Sequence, residues 1–317
     1  MKMDLKNNIF LAPMAGFTDA AFRKLCQDYG ATMTFTEMIS VNALSRRNQA
    51  TLRLLQFSKD ETVGIQFFGQ DPKFFVKAIK VLEEFEKENN FRFAVIDLNF
   101  GCPASKIIRQ GSGSTLMQRP NKIKQIVEAV VGVANRPVYC KIRSGINSKK
   151  INAVEIAKIC DSAGASLITV HSRTQKQGYT GKADWSIIKQ VKENIEIPVC
   201  ANGDIKDLDS YLKCKEETAA DYFMIGRGAI GNPFIFKEVS EEKKIVPSIE
   251  MKISAFMSYL DYAKKLDLNF NQIKVHAQNF TRGIPGSAKI RNDLSRVKDL
   301  DELLGIIKNI NFINNLK

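Results

Sequence analysis

Phe93-Ala94-Val95-Ile96-Asp97-Leu98-Asn99-Phe100-Gly101-Cys102-Pro103 reads as a buried strand that ends at a reactive atom. Residues 93–98 form a short, mostly apolar run, the length and composition of a core strand. At its carboxyl end the chain turns polar and reaches a cysteine. Pro103 biases that cysteine towards an extended conformation. Ala104 to Pro120 then reads as a long polar loop carrying Gly111, Gly113 and Ser114. A strand end, a reactive side chain and a glycine-bearing loop are the parts with which barrel enzymes present chemistry.

The same pattern recurs outward from this stretch. Strands are predicted at Ile9–Met14, Met33–Glu37, Val63–Phe67, Ala94–Leu98, Val138–Arg143, Leu167–His171, Val199–Asn202 and Tyr222–Ile225. Segments of helical periodicity lie between them, among them Asp19–Tyr29, Lys73–Glu88, Ile123–Val133 and Asn152–Ala163. Several open with helix-start residues: Thr18-Asp19, Asp71-Pro72 and Asp184. Eight βα alternations within about 240 residues predict an α/β fold of the (β/α)8 TIM-barrel type. The competing doubly wound sheet carries a Gly-x-Gly-x-x-Gly turn after its first strand. Here that turn is Ala12-Pro13-Met14-Ala15-Gly16.

After Phe234-Ile235-Phe236 the character changes. A charged stretch, Lys237 to Lys244, leads through Pro247 into helical spacing at Met251–Leu266, Asn271–Thr281, Ala288–Val297 and Leu300–Ile310. The expected division is a barrel over 1–240 and a C-terminal all-α helical domain over 241–317.

Composition narrows the class. A 44% hydrophobic fraction in 317 residues is ample for a core. There is no apolar run of membrane-spanning length and no leader signature at Met1-Lys2-Met3-Asp4, so a soluble cytoplasmic protein is expected. The six cysteines show no CxxC or Cys/His ligand spacing, which argues against disulfides and structural zinc. A net charge of +13 points to a polyanionic partner such as nucleic acid, although a general Lys-rich bias reads the same way. A monomer is the default expectation.

In a barrel, polar residues at strand carboxyl ends converge on one mouth. Gln66, Asn99, Cys102, Lys141, Arg143, His171, Arg173, Asn202-Gly203-Asp204 and Gly226-Arg227-Gly228 all occupy such positions. The glycine turns after strands seven and eight, with Arg227, read as a phosphate site. Lys141 sits on an otherwise apolar strand. It needs an anionic partner, either Asp97 or Glu37 in a salt bridge, or a ligand such as a flavin. Cys102 is open to three readings: a packed loop thiol, a nucleophile or a general acid. Neither His171 nor His276 has metal-ligand spacing, so no metal is expected.

Pro13-Met14-Ala15-Gly16 with Thr18-Asp19, Gln66, Asn99 to Pro103, Lys141-Ile142-Arg143-Ser144-Gly145, His171 to Thr174, Asn202 to Asp204 and Met224 to Gly228 together resemble the tRNA-dihydrouridine synthases, most of all the bacterial B-type members. The resemblance runs in order through residues 9–236. It implies an FMN-containing barrel with a helical domain that reduces the C5=C6 bond of selected tRNA uridines, with NADPH or NADH as transient reductant. By position, Pro13, Met14 and Ala15 would lie against the flavin, and Gln66 and Lys141 would bond its ring. His171, Asn202, Gly203, Asp204, Gly226 and Arg227 would hold its ribityl phosphate. Cys102 would donate a proton to C5 after hydride reaches C6. Asn99, Arg143 and Arg173 would stand on the substrate side. The nearest alternative is an FMN oxidoreductase of a free pyrimidine, like dihydroorotate dehydrogenase, which has little use for a basic helical tail.

Overall fold

A computed structural model describes residues 8–314, with side chains to residue 310. The Met1–Asp4 stretch and the outermost parts of both predicted domains, residues 1–7 and 315–317, lie outside the described residues. Eight parallel strands make the barrel: β1 (Ile9–Leu11), β2 (Thr34–Phe35), β3 (Val63–Phe68), β4 (Ile96–Asn99), β5 (Val138–Arg143), β6 (Leu167–His171), β7 (Val199–Asn202) and β8 (Tyr222–Ile225). Each pairs with its sequence neighbours, and β8 returns to β1 with Phe223 opposite Ile9. A parallel bridge between Phe10 and Met33 closes the ring from β1 to β2.

The eight predicted strands are all present, some shorter than expected. β1 stops at Leu11 because Pro13 has no N–H to extend a ladder. The chain instead turns over the mouth, where Thr18 N–H and Oγ1 both donate to the Met14 carbonyl. The expected loop after Cys102 contains a short helix, Ser105–Arg109, and a 3-10 turn, Gly113–Gln118, because Ile107, Leu116 and Met117 turn inward and are buried. A small antiparallel hairpin, Gly145–Asn147 with Lys150–Ile151, follows β5 and was not expected.

Side-chain alternation sorts each strand into two faces. Outward residues such as Ile96, Leu98 and Ile142 meet the surrounding helices. Inward residues Phe10, Met33, Phe35, Val95, Tyr139, Leu167, Cys200 and Met224 form an apolar plug in the barrel. Above that plug the inward positions turn polar. Gln66 stands opposite Asp97, Asn99 opposite Lys141, and His171 opposite both Arg143 and Asn202. Parallel register thus stacks the polar tiers at the carboxyl end alone.

The outer helices include α1 (Ala20–Asp28), α2 (Pro72–Asn89), α3 (Pro120–Val131), α4 (Ala153–Ser162), α5 (Ser186–Lys192), α6 (Leu208–Thr218) and α7 (Phe234–Ser240). The charged stretch from Lys237 begins inside α7, a helix that buries Phe234, Ile235, Phe236 and Val239. Four further helices follow: α8 (Ile249–Lys265), α9 (Phe270–Phe280), α10 (Ser287–Arg296) and α11 (Leu300–Asn314). Helix α8 packs along α1, and the Tyr262 hydroxyl donates to Asp28 at 2.6 Å. Asp19 caps α1 by accepting from Phe22 N–H at 2.9 Å, as its position before the helix predicts. Among the described residues no helix is long and apolar enough to cross a membrane.

Candidate active site

Every residue expected at the site lines one cleft of about 1700 Å³ at the carboxyl end of the barrel. Single-ligand pockets span about 300–1,000 Å³. This cleft therefore has room for a large cofactor and a second group beside it. Its base is apolar, formed by Ala12, Met14 and Met224, and its wall is a ring of donors and cations.

Cys102 sits half-buried on that wall, and its peptide is held from both sides. Asn99 Oδ1 accepts from Gly101 N–H at 3.1 Å and from Cys102 N–H at 2.9 Å. The Cys102 carbonyl accepts from Ser114 N–H at 3.0 Å and from the Ser114 hydroxyl at 2.8 Å. Gly113 makes this closure possible at φ +62°, since a Cβ there would lie 2.7 Å from the Cys102 oxygen. Burial pushes the thiol up, against smaller downward pulls from the Ala104 N–H, Arg143 and Lys141. That direction favours the thiol over the thiolate, the form that can give a proton.

Asn99 continues into a buried relay. Its Nδ2 donates to Gln66 Oε1 at 2.8 Å, and Gln66 Nε2 donates to Asp97 Oδ2 at 2.7 Å. Burial raises the Asp97 carboxyl well above the ordinary carboxylate range, the Gln66 bond and Lys141 opposing. Burial likewise lowers the Lys141 ammonium, with Asp97 working against that shift. Lys141 makes neither of the salt bridges weighed from sequence. Its Nζ donates to Asn202 Oδ1 at 2.8 Å, and Asn202 Nδ2 donates to the Met224 carbonyl at 2.7 Å.

Arg143 and Arg173 line the cleft while holding its loops. Arg143 donates to the carbonyls of Gly101, Thr174 and Gly178 at 2.7, 2.9 and 2.8 Å. Burial lowers its pKa to about 10, so it stays charged at neutral pH. Arg173 donates to the carbonyls of Thr180 and Gly181 and to Asp204 Oδ2, the last at 2.8 Å. Burial opposes ionisation of Asp204, yet the Ala183 N–H and Arg173 keep its carboxyl below the ordinary value. His171 is driven far down by burial and then by Lys141, Arg143, Arg173 and Arg227, so its ring is neutral. Lys141, Arg143, Arg173 and Arg227 thus gather positive charge around the imidazole, beside the Gly203 and Gly226 turns.

Sequence reasoning missed Tyr179. It is 60% exposed, with its ring centroid 5.6 Å from the Arg143 guanidinium and 5.3 Å from that of Arg227. The flanking Gly178 and Gly181, both at positive φ, were the available signal for a shaped loop. Among the described residues no group of three or more His, Cys, Asp or Glu side chains is placed to hold a metal ion.

The chain is similar to known proteins over nearly its whole length. The family model described as "Dihydrouridine synthase (Dus)" matches residues 10–317. The chain is 36% identical over 309 residues to a tRNA-dihydrouridine synthase B of Pasteurella multocida, covering 95% of this chain and 91% of that protein. It is 34% identical over 308 residues to a probable tRNA-dihydrouridine synthase of Rickettsia bellii, covering 94% and 92%. A solved 2-naphthoyl-CoA reductase complex shares the barrel fold, with a TM-score of 0.59 at 13% identity over 75% of this chain and 50% of that one.

Proposed function

The chain belongs to the dihydrouridine synthase family, and from that premise we propose that it reduces the C5=C6 bond of specific tRNA uridines to 5,6-dihydrouridine. The cofactor in this reading is FMN, reduced by NADPH or NADH. The donor set fits a flavin on the chemistry present. An apolar base of Ala12, Met14 and Met224 suits a ring system, with Pro13 and Ala15 beside it. Gln66 and Lys141 offer polar contacts at the ring edge. His171, Asn202, Gly203, Asp204, Gly226 and Arg227 surround the place for a ribityl phosphate. When bound, the flavin supplies hydride to C6 of the uracil.

The chain's own residues do the rest. Asn99 seats the uracil, and Arg143 and Arg173 shape the substrate side while fixing the loops around it. Cys102 gives its proton to C5, and a thiol that is protonated at neutral pH is a sensible general acid for that step. The target base must leave its stack to enter the mouth. The basic surface of the barrel and the helices over 241–317 would hold the RNA backbone, in keeping with the +13 charge. The single observation that carries this reading is the Cys102 peptide, fixed by Asn99 and Ser114 on the wall of a cleft of about 1700 Å³.

The free-pyrimidine alternative is not favoured, because the family match runs through the helical tail as well as the barrel. The test is dihydrouridine content of unmodified tRNA after incubation with the protein, FMN and NADPH. Product with wild type and its near absence with Cys102→Ala supports the reading. No product from flavin-loaded wild type overturns it.

A further inference from the structure

Among the described residues, Asp97 is the one buried carboxylate of the barrel interior that the proposed chemistry leaves without a task. It points inward from β4, two residues before Asn99 and in register with Gln66 on β3. One of its oxygens accepts from Gln66, and the other, buried, has no protein partner.

We propose that Asp97 is a positioning residue: by accepting from Gln66 it sets the polarity of a relay, Asp97 to Gln66 to Asn99, that holds the Cys102 peptide. An amide side chain can turn by 180° and exchange its oxygen and nitrogen, so its orientation is decided by its partners. At one end of the relay, two backbone N–H groups, of Gly101 and Cys102, need an acceptor. That need turns Asn99 Oδ1 towards them and Asn99 Nδ2 towards Gln66, whose Oε1 must then face back. Gln66 Nε2 is left pointing into the barrel, where a donor without a partner is costly. Asp97 Oδ2 is the acceptor waiting there. Both ends of the relay demand the same polarity. If Gln66 turned, its NH2 would face the Asn99 NH2, and Asn99 would be pulled from the cysteine loop.

The reading of Cys102 as proton donor gives this relay its consequence for turnover, but the relay can be tested without that reading. Five of the six cysteines are buried, so iodoacetamide followed by peptide mapping reports the accessibility of Cys102 on the full-length flavin-loaded protein. Asp97→Leu keeps the branched shape and removes the acceptor. It should raise the alkylation rate of Cys102 by about tenfold, the scale set by losing one buried hydrogen bond. Asp97→Asn keeps an acceptor oxygen and should stay near the wild-type rate. Asn99→Ala should release the loop by itself, so adding Asp97→Leu to it should change nothing more. Should Asp97→Leu not fold, Gln66→Leu breaks the relay one link later and should give the same rise.

Wild-type alkylation in these Leu variants, equal release by Asp97→Asn, or full additivity with Asn99→Ala would overturn the proposal. A relay that passes this test in a protein forming no dihydrouridine leaves the positioning role standing and removes the proposed function instead.

Discussion

His276 Nε2 lies 3.0 Å from Asp19 Oδ2, joining α9 to the cap of the first barrel helix across 257 residues of sequence. The two side chains are 0% and 3% exposed, and the Tyr259 hydroxyl donates to the same Asp19 oxygen at 3.3 Å. One carboxylate thus caps α1 with one oxygen and anchors two tail helices with the other. His276→Ala leaves that oxygen under-partnered in a buried site and should cost about 1–3 kcal/mol. Urea denaturation reads the loss, and an unchanged midpoint would show that the contact contributes nothing. Deleting residues 241–317 should do far more, exposing Asp19 together with the apolar face of α1. A destabilised barrel is expected, so reversal of surface charges is the sounder probe of RNA affinity.

Lys141 carries a prediction of its own. Its ammonium is held by Asn202 and lowered by burial, which leaves it ready to be stabilised by an electron-rich ligand edge. Lys141→Ala should weaken flavin retention about tenfold or more, equivalent to roughly 1.4 kcal/mol. The ratio of flavin absorbance to protein after gel filtration measures it. Full occupancy combined with normal NADPH oxidation would remove Lys141 from the cofactor site.

Much of this site was legible because barrels convert sequence position into spatial position. Gln66, Asn99, Lys141, His171 and Asn202 all follow or end apolar runs, and parallel register brings such ends to one mouth. What sequence could not give was who bonds to whom. Lys141 was weighed against Asp97 and Glu37, but the parallel ladder of β5, β6 and β7 delivers it to Asn202. Arg143 and Arg173 looked like substrate contacts, and their bonds to loop carbonyls depend on loop paths that no periodicity encodes. His276 showed no motif because its partner, Asp19, is distant in sequence and its role lies in packing. Tyr179 escaped for the same reason: its neighbours are arginines from β5 and from the turn after β8.

Gly113 should resist even the smallest side chain. At φ +62° an alanine is strained, and its Cβ would meet the Cys102 oxygen at 2.7 Å and Ile107 at 2.9 Å. Gly286 makes a matched control, at φ +71° with nothing within 4 Å. Each Gly→Ala change carries a backbone penalty of about 1 kcal/mol or more. Gly113→Ala alone should also displace the cysteine peptide and lower turnover by about tenfold, the rate equivalent of 1.36 kcal/mol. Comparing dihydrouridine formation by the two variants isolates the clash. Equal activity would mean that the Cys102 carbonyl tolerates movement.

The thiol of Cys102 sets the sign of the pH dependence. Burial raises its pKa, outweighing the Ala104 N–H and the nearby cations, so the acid form persists further into alkaline conditions than a free cysteine allows. An unperturbed thiol titrates at about 8.5. Single-turnover uridine reduction should therefore stay level through neutral pH and decline only above that value, as the proton to be donated is lost. The rate of Cys102 alkylation should follow the opposite course and rise over the same interval, because the thiolate is the species that reacts. An alkylation midpoint below about 8 would mark an activated thiolate and restore the nucleophile reading. A midpoint above the free value, matched by the decline in turnover, ties the same proton to both measurements and makes Cys102 the acid.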